Sequence, residues 1–357
     1  MTAALDRQLL DTADAFDSVA HTYDGPQGNN LLIQRMRDIT WARIEALLPA
    51  GAASLIDIGC GTGIDAQHFA ALGHRVLATD WSPAMVERAT ARGLALAAAG
   101  AAGHLRAERV GAHELQLLHP GNDRFDLAYS NFGPLNCVPD LGHTAEQLAA
   151  LVRPGGHAVF TVIGRWCPWE VAHYARQRRW ARARVRFLRQ TTPVGMNGHT
   201  IWTRYHTPRQ FVREWVAARH EWELVSYEGL STFVPPPYLT AIADQRPTLF
   251  DRLVRLDQRT AAWPVFRNAG DHFLVVLRRR CSCSAMPSGV PISMSGVSST
   301  SSTVASNRGD RRPATSRGVS VNVTNDSQAL NSSEWNRSPA ASRSSWNLAS
   351  MLSGMGV

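Results

Sequence analysis

The sequence predicts an α/β fold, a doubly wound and mainly parallel sheet covered by helices on both faces. Three observations predict it. An apolar run from Leu55 to Ile58, carrying the acid Asp57, leads into three alternating glycines, Gly59, Gly61 and Gly63, and then into a helix-spaced stretch from Ile64 to Leu72. From Leu55 to Ile163 short apolar runs alternate with helical stretches, as parallel strands joined by crossovers require. The 357 residues are 44% hydrophobic, enough for a substantial core in one large domain or two ordinary ones.

Residues 1–50 read as an N-terminal helical cap with a break at Gly25-Pro26-Gln27-Gly28. Before the break, Phe16, Val19, Ala20 and Tyr23 form one stripe at helical spacing; after it, Leu32 to Leu48 reads as a second amphipathic helix. These helices precede the first strand, so they pack outside the sheet or over its mouth. Strands are expected at Leu55–Ile58, Arg75–Thr79, Leu105–Val110, Phe125–Ser130 and His157–Ile163, with helices Pro83–Ala98 and Ala145–Val152 among the connections. Ser82 before Pro83 is a cap signal, and Thr144 with Gln147 reads as a capping box. Arg153-Pro154-Gly155-Gly156 suits a type II turn.

After Ile163 the pattern changes. Period-two runs at Arg184–Phe187 and Ile201–Tyr205, with Gly195-Met196-Asn197-Gly198 between them, predict a β-hairpin inserted after the fifth strand. Thr207-Pro208-Arg209-Gln210 opens a capped helix, Leu224–Ser231 reads as a strand, Pro235-Pro236-Pro237 as a break, Tyr238–Ala262 as mostly helix, and His272–Leu277 as a last strand. The core domain is thus expected over 51–280, with the insertion over about 164–262. From Cys281 to Val357 roughly a quarter of the residues are Ser and no periodicity persists, a composition expected to stay disordered or to reflect a reading-frame artefact.

Composition narrows the function. No apolar run approaches the ~20 residues of a membrane span, and Met1 to Asp17 mixes acids with Leu and Ala, unlike a signal or transit peptide. A cytoplasmic location is expected. Five scattered cysteines argue against a disulfide framework, and Cys281-Ser282-Cys283 has no second pair for zinc, so no metal is expected. Net charge is +8, carried by arginine alone because the chain has no lysine. The arginines of Arg176–Arg189 read as a solvated face or a site for a small anion; no RNA-binding module accompanies them, and nucleic acid is not expected as a partner.

The glycines make a cradle in which backbone N–H groups and a helix N-terminus face a ligand, and any Cβ would hold that ligand away. Dinucleotide sites prefer G-x-G-x-x-G, whereas the spacing here is G-x-G-x-G with Asp57 two residues upstream. Asp80, at the end of the second strand, is placed to accept both hydroxyls of a ribose.

Asp57-x-Gly59-x-Gly61-x-Gly63, Asp80-Trp81-Ser82-Pro83-Ala84-Met85, Phe125-Asp126-Leu127-Ala128-Tyr129-Ser130-Asn131 and Arg153-Pro154-Gly155-Gly156 together resemble successive motifs of class I S-adenosylmethionine-dependent methyltransferases. The resemblance covers roughly Phe16 to Leu277 and is closest to the small-molecule (type 11) group that includes ubiquinone and menaquinone methyltransferases. It implies a Rossmann-like, seven-stranded sheet of the methyltransferase type, S-adenosylmethionine as cofactor, and methyl transfer to a small-molecule acceptor at an O, N or C atom. It also implies residue roles. The backbone of Gly59, Cys60 and Gly61 lines the amino-acid end, with Asp57 supporting the ammonium and Gly63 also in the cofactor site; Asp80 holds ribose and Trp81 flanks adenine; Asn131 faces the methionine portion; Tyr23 and His21 close over the cofactor. One position departs from the family pattern, because Ala112 stands where an adenine-binding Asp is common, leaving His113 or a backbone group as the substitute.

Methyl transfer from a sulfonium needs proximity more than covalent chemistry. Tyr23 and Phe132 are candidates for cation–π contact with the sulfonium. Asn136, Glu170 and His21 are the candidate catalytic residues, Glu170 as a base beside Trp166 and Trp169. The alternatives are a nicotinamide-dependent oxidoreductase and a non-catalytic protein that keeps the cofactor fold.

Overall fold

Alternation of apolar residues along the strands sets the architecture. In β1 (Ser54–Ile58), Leu55 faces one side of a sheet while Ile56 and Ile58 face the other, and all three are fully buried. The structure, a computed structural model, describes residues 3–26, 28–119, 124–217 and 220–281; the Ser-rich stretch expected to be disordered lies, from residue 282, outside the described residues. Among the described residues, seven strands form one sheet: β1, β2 (Arg75–Asp80), β3 (His104–Arg109), β4 (Phe125–Ser130), β5 (Val152–Ile163), β8 (Trp222–Leu230) and β9 (His272–Arg279). Their order is β3-β2-β1-β4-β5-β9-β8. β1 to β5 are mutually parallel, and β9 runs antiparallel between β5 and β8. The expected seven-stranded, mainly parallel sheet is present.

Helices cover both faces. On one, α5 (Leu141–Leu151) and α8 (Pro208–Ala217) bury Leu148, Phe211 and Trp215 against Ile56, Phe160, Val162 and Phe273. On the other, α2 (Leu31–Glu45) and α3 (Ile64–Ala71) bury Ile44 and Phe69 against Leu55, Tyr129, Val159 and Leu274. The sheet order reverses between β1 and β4, so the loops after these two strands part and leave a crevice at their C-terminal ends. The glycines follow β1, and Asn131 follows β4, so both border it.

The first helix, α1 (Ala3–Val19), roofs this crevice, whereas α2 joins the α3 face. Asn30 caps α2 by accepting from the Leu32 and Ile33 amides, and Ser82 caps α4 (Pro83–Ala98), whose first residue is proline, as expected. Gly93 of α4 lets that helix lie against the Leu105 carbonyl of β3.

Three expectations need correction. Thr144 and Gln147 do not open a helix, because α5 starts earlier, at Leu141, with Asp140 as its cap. They sit inside it and hold the loop after β3: Thr144 donates to the Ala112 carbonyl, and Gln147 accepts from the Gln116 amide. Arg153-Pro154-Gly155-Gly156 is not a turn ahead of the strand but an irregularity within β5, where pairing with β4 shifts between Phe125 and Leu127. Gly155 supplies the positive φ that the shift requires. The hairpin is β6 (Thr192–Met196) with β7 (His199–Thr203), joined by Asn197-Gly198, both at positive φ as a two-residue hairpin turn demands. Arg184–Phe187 is not its first strand.

That segment instead follows two short helices, α6 (Pro168–Arg176) and α7 (Trp180–Ala183), and forms a 3₁₀ turn at Val185–Phe187. It turns inward because Arg186 is buried: its guanidinium donates to Glu170 and Asp271 carboxylates, both at 2.7 Å, and to the Gly164 and Asp271 carbonyls. Two buried acids hold its proton firmly, raising its pKa against the desolvation that opposes it. Beyond β8, α9 (Ala241–Gln245) and α10 (Pro247–Thr260) complete the insertion. Among the described residues no helix is long and apolar enough to cross a membrane.

Arg186→Ala leaves Glu170 and Asp271 buried without their cation. Loss of about 3–5 kcal/mol of unfolding free energy is expected, seen as a lower midpoint in urea denaturation followed by tryptophan fluorescence.

Candidate functional site

One pocket fills the crevice between β1 and β4. Its floor is the glycine turn, whose three glycines serve different ends. A Cβ on Gly59 (φ +71°) would run into the Pro134 ring, and one on Gly63 (φ +81°) would sit 2.8 Å from the Ala89 side chain of α4. Those two are needed by the fold. Gly61 (φ +53°) alone faces open space, its nearest neighbour being the Tyr23 ring at 3.7 Å. The amides of Gly59 and Cys60 donate to the Thr79 carbonyl at 2.8 and 2.9 Å, which folds the turn against β2.

Asp80 ends β2 and braces the turn. Its carboxylate accepts from the Gly61 and Ser82 amides, each at 2.9 Å. Burial outweighs these bonds and raises its pKa to about 6. Beside it, Trp81 meets His113 edge to face with centroids 4.8 Å apart, and Arg109 lies 5.2 Å from the indole. The Trp81 indole N–H is buried without a partner. Burial lowers the His113 pKa, so the imidazole is neutral at pH 7 and keeps one acceptor nitrogen. His113 thus lines the pocket where the usual acid is missing.

The opposite wall rests on a group that motif spacing did not reveal. Asp65, in the first turn of α3, is 6% exposed and accepts from Arg37 (2.5 Å), the Trp41 indole (2.7 Å) and the Asn131 amide (3.0 Å). Arg37 comes from α2, lines the pocket and lies 5.1 Å from the Phe132 ring. Its Nε and the Asn131 Oδ1 are buried without partners. Phe132 takes a left-handed backbone (φ +62°) ahead of Gly133, a conformation costing of order 1–3 kcal/mol; a 2.7 Å bond from its amide to Thr161 Oγ1 holds it.

The roof is α1 with Tyr23 and the hairpin. Asp17 accepts from the Ser82 hydroxyl and the Ala84 amide, and Asp24 pairs with Thr62 and Arg92, so both ends of the segment are tied to the cradle. Trp202 of β7 donates to Asp11, and its amide to Thr12, joining the hairpin to α1. Tyr23 is half-buried under this roof, and burial raises its phenol pKa.

Of the residues singled out in sequence, Tyr23, Gly59, Cys60, Gly61, Asp80, Trp81, His113, Asn131 and Phe132 line this pocket. Asp57 and Gly63 do not. Asp57 faces the α3 side of the sheet, 1% exposed, and burial together with Asp65 pushes its carboxyl well up. The three catalytic candidates lie elsewhere. His21 is exposed on the turn after α1. Glu170 is spent on Arg186 and the Tyr238 hydroxyl, each at 2.7 Å. Asn136 uses its whole amide as a staple, donating to the Ile163 and Arg204 carbonyls and accepting from the Ile163 amide. Arg37 and Asp65 are what sequence reading missed. Asp65 reads as an ordinary acid in the first turn of a helix, and Arg37 as the wet face of α2.

A family profile described as a methyltransferase domain matches residues 32–227, more than half of the chain. The malonyl-[acyl-carrier protein] O-methyltransferase of Pseudescherichia vulneris is 30% identical over 151 residues, 42% of this chain and 53% of that protein. The ubiquinone biosynthesis O-methyltransferase of Ralstonia nicotianae is 28% identical over 152 residues, 43% of this chain and 60% of that protein. The demethylmenaquinone methyltransferase of Mycobacterium marinum is 30% identical over 159 residues, 44% of this chain and 61% of that protein. The chain therefore spans little more than half the length of these curated relatives.

The glycines predict a contrast. Gly59→Ala should cost about 2–5 kcal/mol of stability through overlap with Pro134. Gly61→Ala should cost only about 1–2 kcal/mol yet weaken S-adenosylhomocysteine binding about tenfold or more. Thermal melts and calorimetric titration of both variants check this.

Proposed function

Because this chain belongs to the methyltransferase domain family, we propose that it transfers the methyl group of S-adenosylmethionine to a small organic acceptor. The observation that carries the proposal is that one pocket holds a complementary group for each part of that cofactor. Asp80 has lone pairs left beside its two backbone bonds and accepts from ribose hydroxyls. Trp81 flanks adenine, and the neutral His113 accepts from its amino group in place of the absent acid. Arg37 receives the carboxylate, and the unpartnered Asn131 Oδ1 receives the ammonium. Gly61 lets the chain pass close to the methionine portion.

When bound, the cofactor supplies a methyl group already activated by its sulfonium. The protein's own residues then orient and enclose. Tyr23 and Phe132 offer ring faces to a positive sulfur. The α1 roof excludes water, and the Asp17 and Asp24 bonds keep that roof seated on the cradle. Asp57 acts beneath the site, supporting the turn rather than touching the ligand. The cytoplasm is the proposed place of action, consistent with the free thiols Cys60, Cys137 and Cys167.

Asp80→Asn should weaken S-adenosylhomocysteine binding about 10- to 100-fold in calorimetry, the worth of bonds to a charged acceptor; an unchanged affinity would contradict the assignment. A pH dependence follows from the same residue. Only ionised Asp80 accepts two hydroxyls, so affinity should fall as pH drops through about 6 and level off above it. The ligand-free fold responds oppositely. Its raised Asp80 pKa means stability declines as pH rises from 3.8 toward 6, because the folded state then holds the extra proton.

A further inference from the structure

Once the groups facing the cofactor are set aside, the rest of the pocket lining has an unusual composition. It comes from α1 (Leu9, Phe16), the loop after β4 (Val138), the end of β5 (Ile163) and β7 (Ile201), all apolar. Its polar members are Thr12, Thr203 and Cys137, together with Thr62 and Ser82, whose hydroxyls donate to Asp24 and Asp17. The Cys137 thiol points at the Gly133 carbonyl, 4.0 Å away, and burial pushes it up to about 12. The titratable groups elsewhere on the lining belong to the cofactor end or are paired within the protein. Asp80, Arg37 and His113 are the groups assigned above to ribose, carboxylate and adenine, and Asp65 is paired with Arg37. Tyr23 holds its phenolic proton firmly because of burial. Glu170, the expected base, is locked in the Arg186 cluster and does not line the pocket.

Resting on the methyl-transfer function proposed above, we infer that this chamber takes an uncharged, mainly apolar acceptor and contributes no proton acceptor to it. An anionic acceptor would lose its hydration against Leu9, Phe16, Val138, Ile163 and Ile201, and among the described residues the one cation on the lining, Arg37, is the group assigned to the cofactor carboxylate. Thr203 and Cys137 supply one polar handle, suited to a single hydroxyl, carbonyl or ring nitrogen. In the transfer, the bond between methyl carbon and sulfur breaks and sulfur keeps the pair, while the acceptor's lone pair forms the new bond to carbon. A proton carried by that atom is lost to bulk water from the methylated product as it is released, since among the described residues no side chain of the chamber takes it. The acceptor's own acidity, rather than an enzyme base, therefore sets the pH profile.

The test uses the full chain saturated with S-adenosylhomocysteine and 4-nitrophenol as probe, whose absorbance reports both binding and ionisation. The probe should bind in its neutral form and titrate about one pH unit higher than in water, as an apolar site without a base requires. A downward shift would reveal a base, and tighter binding of the phenolate would reveal a cation; either overturns the inference. So does failure of the probe to bind while S-adenosylhomocysteine binds. Ile201→Trp, which fills the chamber, should abolish probe binding and leave S-adenosylhomocysteine binding intact; retained probe binding would place the probe elsewhere and overturn the assignment. Loss of S-adenosylhomocysteine binding by the unaltered chain would instead remove the methyl-transfer proposal itself.

Discussion

The buried carboxylate of Asp65 ties α2 and the loop after β4 to the start of α3 at the rim of the crevice. It accepts from Arg37 and Trp41 of α2 and from Asn131 after β4, while its own backbone starts the helix behind the glycine turn. A carboxylate there gains from the positive end of α3 and from three donors, which offsets the cost of burying it. Without it Arg37 would be an unpaired buried cation, while α2 would still be held by the burial of Ile44 and the Arg43–Glu228 pair. Arg37 in turn sets the position over Phe132, whose left-handed backbone shapes the pocket wall. The site is therefore assembled around a carboxylate that needs no contact with ligand.

The sheet and its additions divide the work. Strand ends of β1, β2 and β4, with the loop after β3, present Gly61, Asp80, Trp81, Asn131 and His113, groups suited to one polar ligand of fixed shape. The loop after β3 is held by Thr144 and Gln147 of α5, so the position of His113 depends on a helix from the opposite side of the crevice. Elements outside the parallel strands, α1 and the β6–β7 hairpin, supply apolar residues and close the pocket. Asn136 and Arg186 serve this division indirectly. The first fixes the loop after β4 to the end of β5, and the second anchors the insertion to the start of β9.

Much of this was legible before the structure. Strand-helix alternation showed the parallel sheet, because period-two burial on two faces leaves a strong mark at Leu55–Ile58 and Phe125–Ser130. Asp80 and Trp81 were legible because they follow a strand at a fixed distance from the glycines. What escaped were side chains whose partners are far apart in sequence. Glu170 read as a candidate base, since its proximity to Arg186 and Tyr238 depends on the path of the insertion. Asn136 read as a candidate catalytic residue, yet its partners are Ile163 and Arg204. Arg184–Phe187 alternates like a strand, but Arg186 points inward to two acids, so charge rather than apolarity sets its buried face. Local periodicity carries no record of such pairings.

The central claim is that one ligand spans the crevice from Trp81 and His113 to Arg37 and Asn131. A crystal structure of the chain with S-adenosylhomocysteine measures this directly. The account predicts ribose hydroxyls within hydrogen-bond distance of Asp80, adenine against Trp81 with its amino group toward His113, and the carboxylate on Arg37. Density for the ligand with its carboxylate at the Trp81–His113 end, or outside this crevice, would contradict it.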